Sequence, residues 1–153
     1  MKTDHIKIAF LVSMSSILLS CSNDAIYNRI VQLNYGTSFG ECMGYCKHDV
    51  TIKSNKATFN CYSWNTTMQT LTKTDIIKSD ALDSIYSMNT KSFFNLSETI
   101  GCPDCADGGA EWIEIELTNG NKHKVTFEYS HEPTILKDQI KKLRELLSVN
   151  RCN

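Results

Sequence analysis

Residues 111–129 read EWIEIELTNGNKHKVTFEY. Ile113, Ile115 and Leu117 alternate with Glu114 and Glu116, and Val125, Phe127 and Tyr129 alternate with Lys124 and Glu128. Two runs of period two, split by Asn119-Gly120, predict a β-hairpin with one buried face. A two-residue loop would set Ile115 against Lys124 and mix apolar with charged side chains on that face. A three-residue loop at 119–121 sets Ile115 opposite Val125, Ile113 opposite Phe127 and Glu116 opposite Lys124. The expectation is the three-residue loop with a bulge, because a one-residue slip inverts every side chain.

Outward from the hairpin, Pro133 is suited to open a helix. Leu136, Ile140, Leu143 and Leu147 then share one face, while Lys137, Lys141, Arg144 and Glu145 lie away from it. On the other side, 27–34 (YNRIVQLN) reads as a first strand and 35–46 as a loop carrying Gly36, Gly40 and Gly44. Residues 49–53 and 57–64 read as strands around Ser54-Asn55-Lys56, and 67–73 as a weaker strand. Thr74 or Ser79 can cap a helix carrying Ile77, Ala81, Leu82 and Ile85, and Phe93, Phe94 and Leu96 form an apolar plug. The expected fold is an α+β, two-layer domain: a curved antiparallel sheet with two helices on one face.

The start of the chain gives an address. Lys2 and Lys7 precede a mostly apolar run at 8–19, and Leu18-Leu19-Ser20-Cys21 fits a lipobox. The run is too short to span a bilayer, which needs ~20 residues. Residues 1–20 are therefore expected to be a removed lipoprotein signal, 21–26 a tether starting at Cys21, which carries palmitate-type acyl chains, and 27–150 a single domain. From Cys21 onward the chain has 14 basic and 16 acidic residues, a formal net charge of −2. There is no basic stripe of the kind that binds nucleic acid. Ser22, rather than an aspartate, follows Cys21, which leans toward the outer membrane of a cell envelope.

Six cysteines remain: Cys42, Cys46, Cys61, Cys102, Cys105 and Cys152. An even number in an exported chain reads as disulfides, with fifteen possible pairings and two close pairs, C-x3-C and C-x2-C. Cys61 and Cys152 are left as a long-range set. The alternatives are a four-thiolate zinc site built from the two close pairs and thiol redox chemistry at Cys102-Pro-Asp-Cys105. The latter lacks a following helix to activate its thiol.

No Ser-His-Asp order with a nucleophile elbow and no HExxH is present, so no enzyme is expected. His123 and His131 read as surface residues, and Asp104 and Asp107 beside Gly108-Gly109 as a turn rather than a cation loop. Trp112 points opposite to Ile113. It is either buried under a loop, the plainer expectation, or joins Tyr62 and Trp64 in an aromatic binding patch.

The C-x-G-x-C loop before a hairpin, Phe93-Phe94-Asn95-Leu96, and the Asn-Gly hairpin leading to a Pro-started helix together resemble a group of uncharacterised small lipoproteins and secreted domains of Bacteroidota-type bacteria. The similarity spans roughly residues 28–147, with Lys47 in place of the usual proline and Ser54-Asn55-Lys56 in place of a Ser-Asp-Gly turn. The resemblance implies a fold and no activity. The expected function is a non-enzymatic, lipid-anchored module that binds a protein or a glycan. The alternative is a metal- or thiol-handling envelope protein using the paired cysteines.

Overall fold

The computed structural model describes residues 29–150. The signal segment, Cys21, the tether and Cys152 lie outside the described residues. The strands are β1 (Ile30–Ser38), β2 (Tyr45–Lys53), β3 (Lys56–Ser63), β4 (Leu71–Ile76), β5 (Thr99–Ile100), β6 (Ala110–Leu117) and β7 (Lys122–Glu128). The helices are α1 (Ser79–Tyr86), α2 (Thr90–Phe94) and α3 (Lys137–Val149), with 3-10 turns at Cys105–Asp107 and Thr134–Leu136. All seven strands form one sheet in the order β4-β3-β2-β1-β6-β7-β5. The short β5 runs parallel to β7, so the sheet is mixed rather than wholly antiparallel, and the fold is α+β with three helices rather than two.

The hairpin has the expected parity and a different register. Ile113 pairs with Val125, Ile115 with His123 and Glu116 with Lys122, two residues from expectation. The loop is Thr118-Asn119-Gly120. Gly120 N–H donates to Leu117 O and Leu117 N–H to Asn121 O, both at 2.9 Å, and Gly120 sits at φ 84°. A three-residue loop needs its left-handed residue last, and the glycine takes that place. A slip of two residues leaves the faces intact. Lys122 consequently meets Glu116, at 3.1 Å, instead of Lys124.

β1 is the larger departure. It runs through Tyr35, Gly36 and Thr37, which the sequence placed in a loop, and all three are buried. Gly36 is a mid-strand glycine opposite Trp112, not a turn residue. β4 begins and ends later than expected and takes Thr74 into the strand, so neither it nor Ser79 caps α1, whose cap position is Lys78. β4 is exposed along its whole length and carries Lys73 and Asp75 at the sheet edge, where charge discourages pairing with another chain.

One side of the strands supplies the core. Leu33, Tyr35, Val50, Ile52, Phe59, Ile113, Ile115, Val125 and Phe127 are buried there together with Ile85 of α1, Phe93 of α2, and Leu136, Ile140, Leu143 and Leu147. Each large apolar side chain so removed from water contributes about 1.5–3 kcal/mol. Pro133 precedes the 3-10 turn, its carbonyl accepting from Leu136 N–H at 2.8 Å, and α3 proper starts at Lys137 with the expected face inward. Phe93 plugs the sheet edge near β7, on a helix capped by Asn89 Oδ1, which accepts from Ser92 N–H at 3.0 Å. His123 is not a free surface residue. It stacks on Phe94 (5.5 Å), meets Phe93 edge-on (5.3 Å), and its Nε2 lies 3.0 Å from Leu96 O. Among the described residues no helix is long and apolar enough to cross a membrane.

Candidate functional site: an aromatic groove on the sheet

The alternate positions of the strands, those pointing away from the core, line an open groove of about 590 Å³. Gln32 and Asn34 come from β1, Lys47, Asp49 and Thr51 from β2, Asn60 and Tyr62 from β3, Trp112 and Glu114 from β6, Lys124 and Thr126 from β7, and Trp64 lies just past β3. The three aromatic candidates Tyr62, Trp64 and Trp112 therefore meet in one place. The period-two pattern brings them together, because β3 and β6 each project every second side chain to this side.

Trp112 is not covered by a loop. Its indole lies across Gly36 of the neighbouring β1, where a Cβ would run into Trp112 Cζ2 and lie 2.7 Å from His48 O. The missing side chain makes the trough in which the indole rests. Lys47 Nζ stands 5.5 Å from the indole centroid and Lys124 Nζ 5.3 Å from it, and Lys47 is also 4.9 Å from the Tyr62 ring. Cation–π attraction of this kind is worth about 0.5–1 kcal/mol at exposed sites.

The groove's carboxylates are held by amides that line it too. Asn60 Nδ2 donates to Asp49 Oδ1 at 2.8 Å, and Asn34 Nδ2 to Glu114 Oε1 at 3.1 Å. Partial burial, with the adjacent Asp49 charge and hydrogen bond, holds the Tyr62 phenol above its usual range.

Trp64 is half exposed and is tied down at one atom, Nε1–H donating to Phe39 O at 2.7 Å. Phe39 opens the loop closed by the Cys42–Cys46 disulfide, and its ring meets Tyr129 edge-on at 4.9 Å. The second disulfide, Cys102–Cys105, closes the neighbouring loop: Gly40 lies against Asp104. In this loop Asp104, Ala106 and Asp107 all adopt positive φ, so the Asp-Gly-Gly stretch is a constrained turn. The Cys42–Cys46 loop thus abuts the end of the groove that Trp64 marks, and the Cys102–Cys105 loop lies against it through Asp104. Closing loops this small stabilises by about 2 kcal/mol each in the chain-entropy account.

The four close cysteines are thus consumed in local pairs, with Cα–Cα separations of 5.7 and 5.5 Å, and present no thiolate set to a metal in this state. No group of three or more His, Cys, Asp or Glu poised for a metal occurs among the described residues. Cys61 is disulfide-bonded as well. It is buried, and His48 Nδ1 lies 3.2 Å from its sulfur. Asn150, at the end of α3, accepts from Lys73 Nζ at 2.7 Å, on the strand paired with β3. The end of α3 is thus tied to β4, the strand that pairs with the strand carrying Cys61. Peptide mapping without reduction is expected to recover the two local pairs and a Cys61–Cys152 link. Alkylation of the native protein at any of the four close thiols would contradict the pairing.

A second polar cluster, which sequence reasoning missed, lies on the core side of the same β6. Glu111 is 0% exposed and accepts from Tyr35 Oη (2.7 Å), from Arg144 Nε (2.7 Å) and Nη2, and from Ser130 N–H (3.2 Å). Arg144 also reaches Glu132. Arg144, expected to face solvent, is the clamp between α3 and β6. Burial and the adjacent Glu111 carboxylate push the Tyr35 phenol far above its usual range, and the two carboxylates hold Arg144 firmly protonated. One guanidinium thus ties two carboxylates, linking α3 to β6 and to the segment before α3.

Burial alone would raise the Glu132 carboxyl, but the Arg144 hydrogen bond, a backbone hydrogen bond and nearby positive charge together hold it below its usual range. A lowered folded-state value gives stability that is complete above the unfolded value, ~4.3, and is lost as pH falls through the folded one. In thermal melts, Glu132→Gln is expected to be less stable than wild type at pH 7. The gap should shrink progressively as pH drops below about 4.

No family model matches the chain, and no curated protein matches it in sequence.

Proposed function

We propose that the chain is a non-enzymatic binding module of the bacterial cell envelope, whose groove of Tyr62, Trp64 and Trp112 receives a glycan. The helices cover one face of a curved sheet, and the other face is left for the ligand. A lipid on Cys21 holds the domain to a membrane, in keeping with the resemblance to small Bacteroidota-type lipoproteins. The observation that carries the reading is the meeting of three aromatic side chains with amide and carboxylate groups in one open groove. Aromatic rings bury the apolar face of a sugar ring, while fixed polar neighbours orient its hydroxyls.

The chain has two tryptophans, Trp64 and Trp112, and both line the groove, so intrinsic fluorescence reports on it directly. Titration with a panel of oligosaccharides is expected to shift that emission saturably. Trp112→Ala should weaken binding at least about tenfold, the equivalent of one lost contact of ~1.4 kcal/mol. Emission unchanged across the panel would defeat the reading. The address is tested separately: a fatty-acid label should appear on the wild type in the outer-membrane fraction and be absent from Cys21→Ala.

A further inference from the structure

We propose that the groove selects an acidic sugar, one carrying a carboxylate that seats between the ammonium groups of Lys47 and Lys124 above Trp112. The proposal rests on the glycan reading and names the class of glycan.

Two cations converge on a single indole from opposite sides. Lys47 comes from β2 and Lys124 from β7, with β1 and β6 between them. Their ammonium groups stand 5.5 and 5.3 Å from the same ring centroid. Gly36 lies against the indole, which is thus held between the β1 backbone and the two lysines. Like charges that share one ring repel one another.

The nearby carboxylates make no contact ion pair with either lysine among the described residues. Lys124 is directly opposite Glu114 in the β6–β7 register, yet Glu114 accepts from Asn34. Asp49 accepts from Asn60. Among the described residues neither lysine forms an ion pair within 4.0 Å, whereas Lys122, two residues from Lys124, pairs with Glu116. The two groove carboxylates are thus held by amides, and the two ammonium groups stand over an aromatic floor with no contact ion pair among the described residues.

A carboxylate between the two ammonium groups would accept charge-assisted hydrogen bonds from both and cancel their repulsion. A ring attached to it would lie on the aromatic surface that continues through Tyr62 toward Trp64. An acidic peptide offers the carboxylate without a rigid ring to match that surface, so the saccharide is favoured.

The test is a fluorescence titration of the folded, oxidised domain. The probes are a galacturonic acid tetrasaccharide, sialyllactose, the carboxyl-reduced form of each, and a tetraglutamate peptide. At least one acidic sugar is expected to bind about tenfold or more tighter than its reduced form, with affinity falling as salt rises. Lys47→Gln/Lys124→Gln should remove that preference, while Lys122→Gln should keep it. Circular dichroism and melting of each variant separate lost binding from lost folding.

Equal binding of acidic and reduced sugars would overturn this inference and leave the glycan reading standing. Peptide binding as tight as the best sugar would overturn both, as would binding of no probe at all. A preference for acid that survives the double lysine substitution would overturn the assignment of its site.

Discussion

Glu111→Gln is expected to destabilise the domain by about 3–5 kcal/mol, the range for removing one partner of a buried ion pair. The glutamate is fully buried and gathers Tyr35 of β1, Ser130 after β7 and Arg144 of α3 on its two oxygens. Because Arg144 reaches both oxygens, a glutamine would turn its amide N–H₂ toward a guanidinium N–H whichever way it sat, donor against donor, and leave Arg144 with Glu132 as its one charged partner. In a domain of this size the loss corresponds to a fall in Tm on the order of 10–20 °C. Arg144→Ala should act similarly, because it strands the Glu111 charge away from water. Replacing both by methionine should be milder than either single change, since an apolar pair of similar volume avoids the desolvation penalty altogether. Urea denaturation of the three variants checks this. A shift for Glu111→Gln below about 1 kcal/mol would show the cluster to be incidental to stability.

Gly36→Val is expected to destabilise by about 3 kcal/mol and to abolish the groove as a binding surface. The added Cβ meets Trp112 on one side and sits 2.7 Å from the backbone oxygen of His48 on the other. The indole can swing away, but the carbonyl belongs to the β1–β2 ladder and cannot. The strand must shift, and Trp112 must leave the place where Lys47 and Lys124 flank it. The signature is specific: altered tryptophan emission in the absence of ligand, lost saturable binding, and a Tm depressed but still cooperative. Gly120→Ala makes a useful contrast. It strains a left-handed position at φ 84° with open space around it, so it should lower stability while leaving ligand affinity intact.

These two substitutions show which parts of the molecule local pattern could reveal. The apolar positions of β6, β7 and α3 were legible because period two and period 3.6 are properties of the chain itself. The strand faces survived even a register error, since a slip of two residues preserves them. The register was set by Gly120 needing the last loop position, which the pattern of the flanking strands does not express. Gly36 read as a turn because glycine's commonest local use is a turn. Its actual use, making room for an indole 76 positions away, exists only once β1 and β6 lie side by side. The same holds for Glu111, which alternation places on the inward side but whose burial as a charge depends on an arginine arriving from α3. His123 likewise looked like a surface residue until Phe93 and Phe94 closed over it.

By itself the sequence determined the alternation that separates a core side from an open side of the sheet, the inward stripe of the last helix and the even set of cysteines available for pairing. These follow from the geometry of a strand, a helix and a sulfur count, none of which needs a distant partner. Only the tertiary structure decided that Tyr62, Trp64 and Trp112 share one groove, that two lysines crown a single indole, and that Glu111 is a buried anchor. Each of those depends on strands and helices far apart in the chain being brought within a few ångströms, and the energy of such a meeting belongs to the pair rather than to either residue.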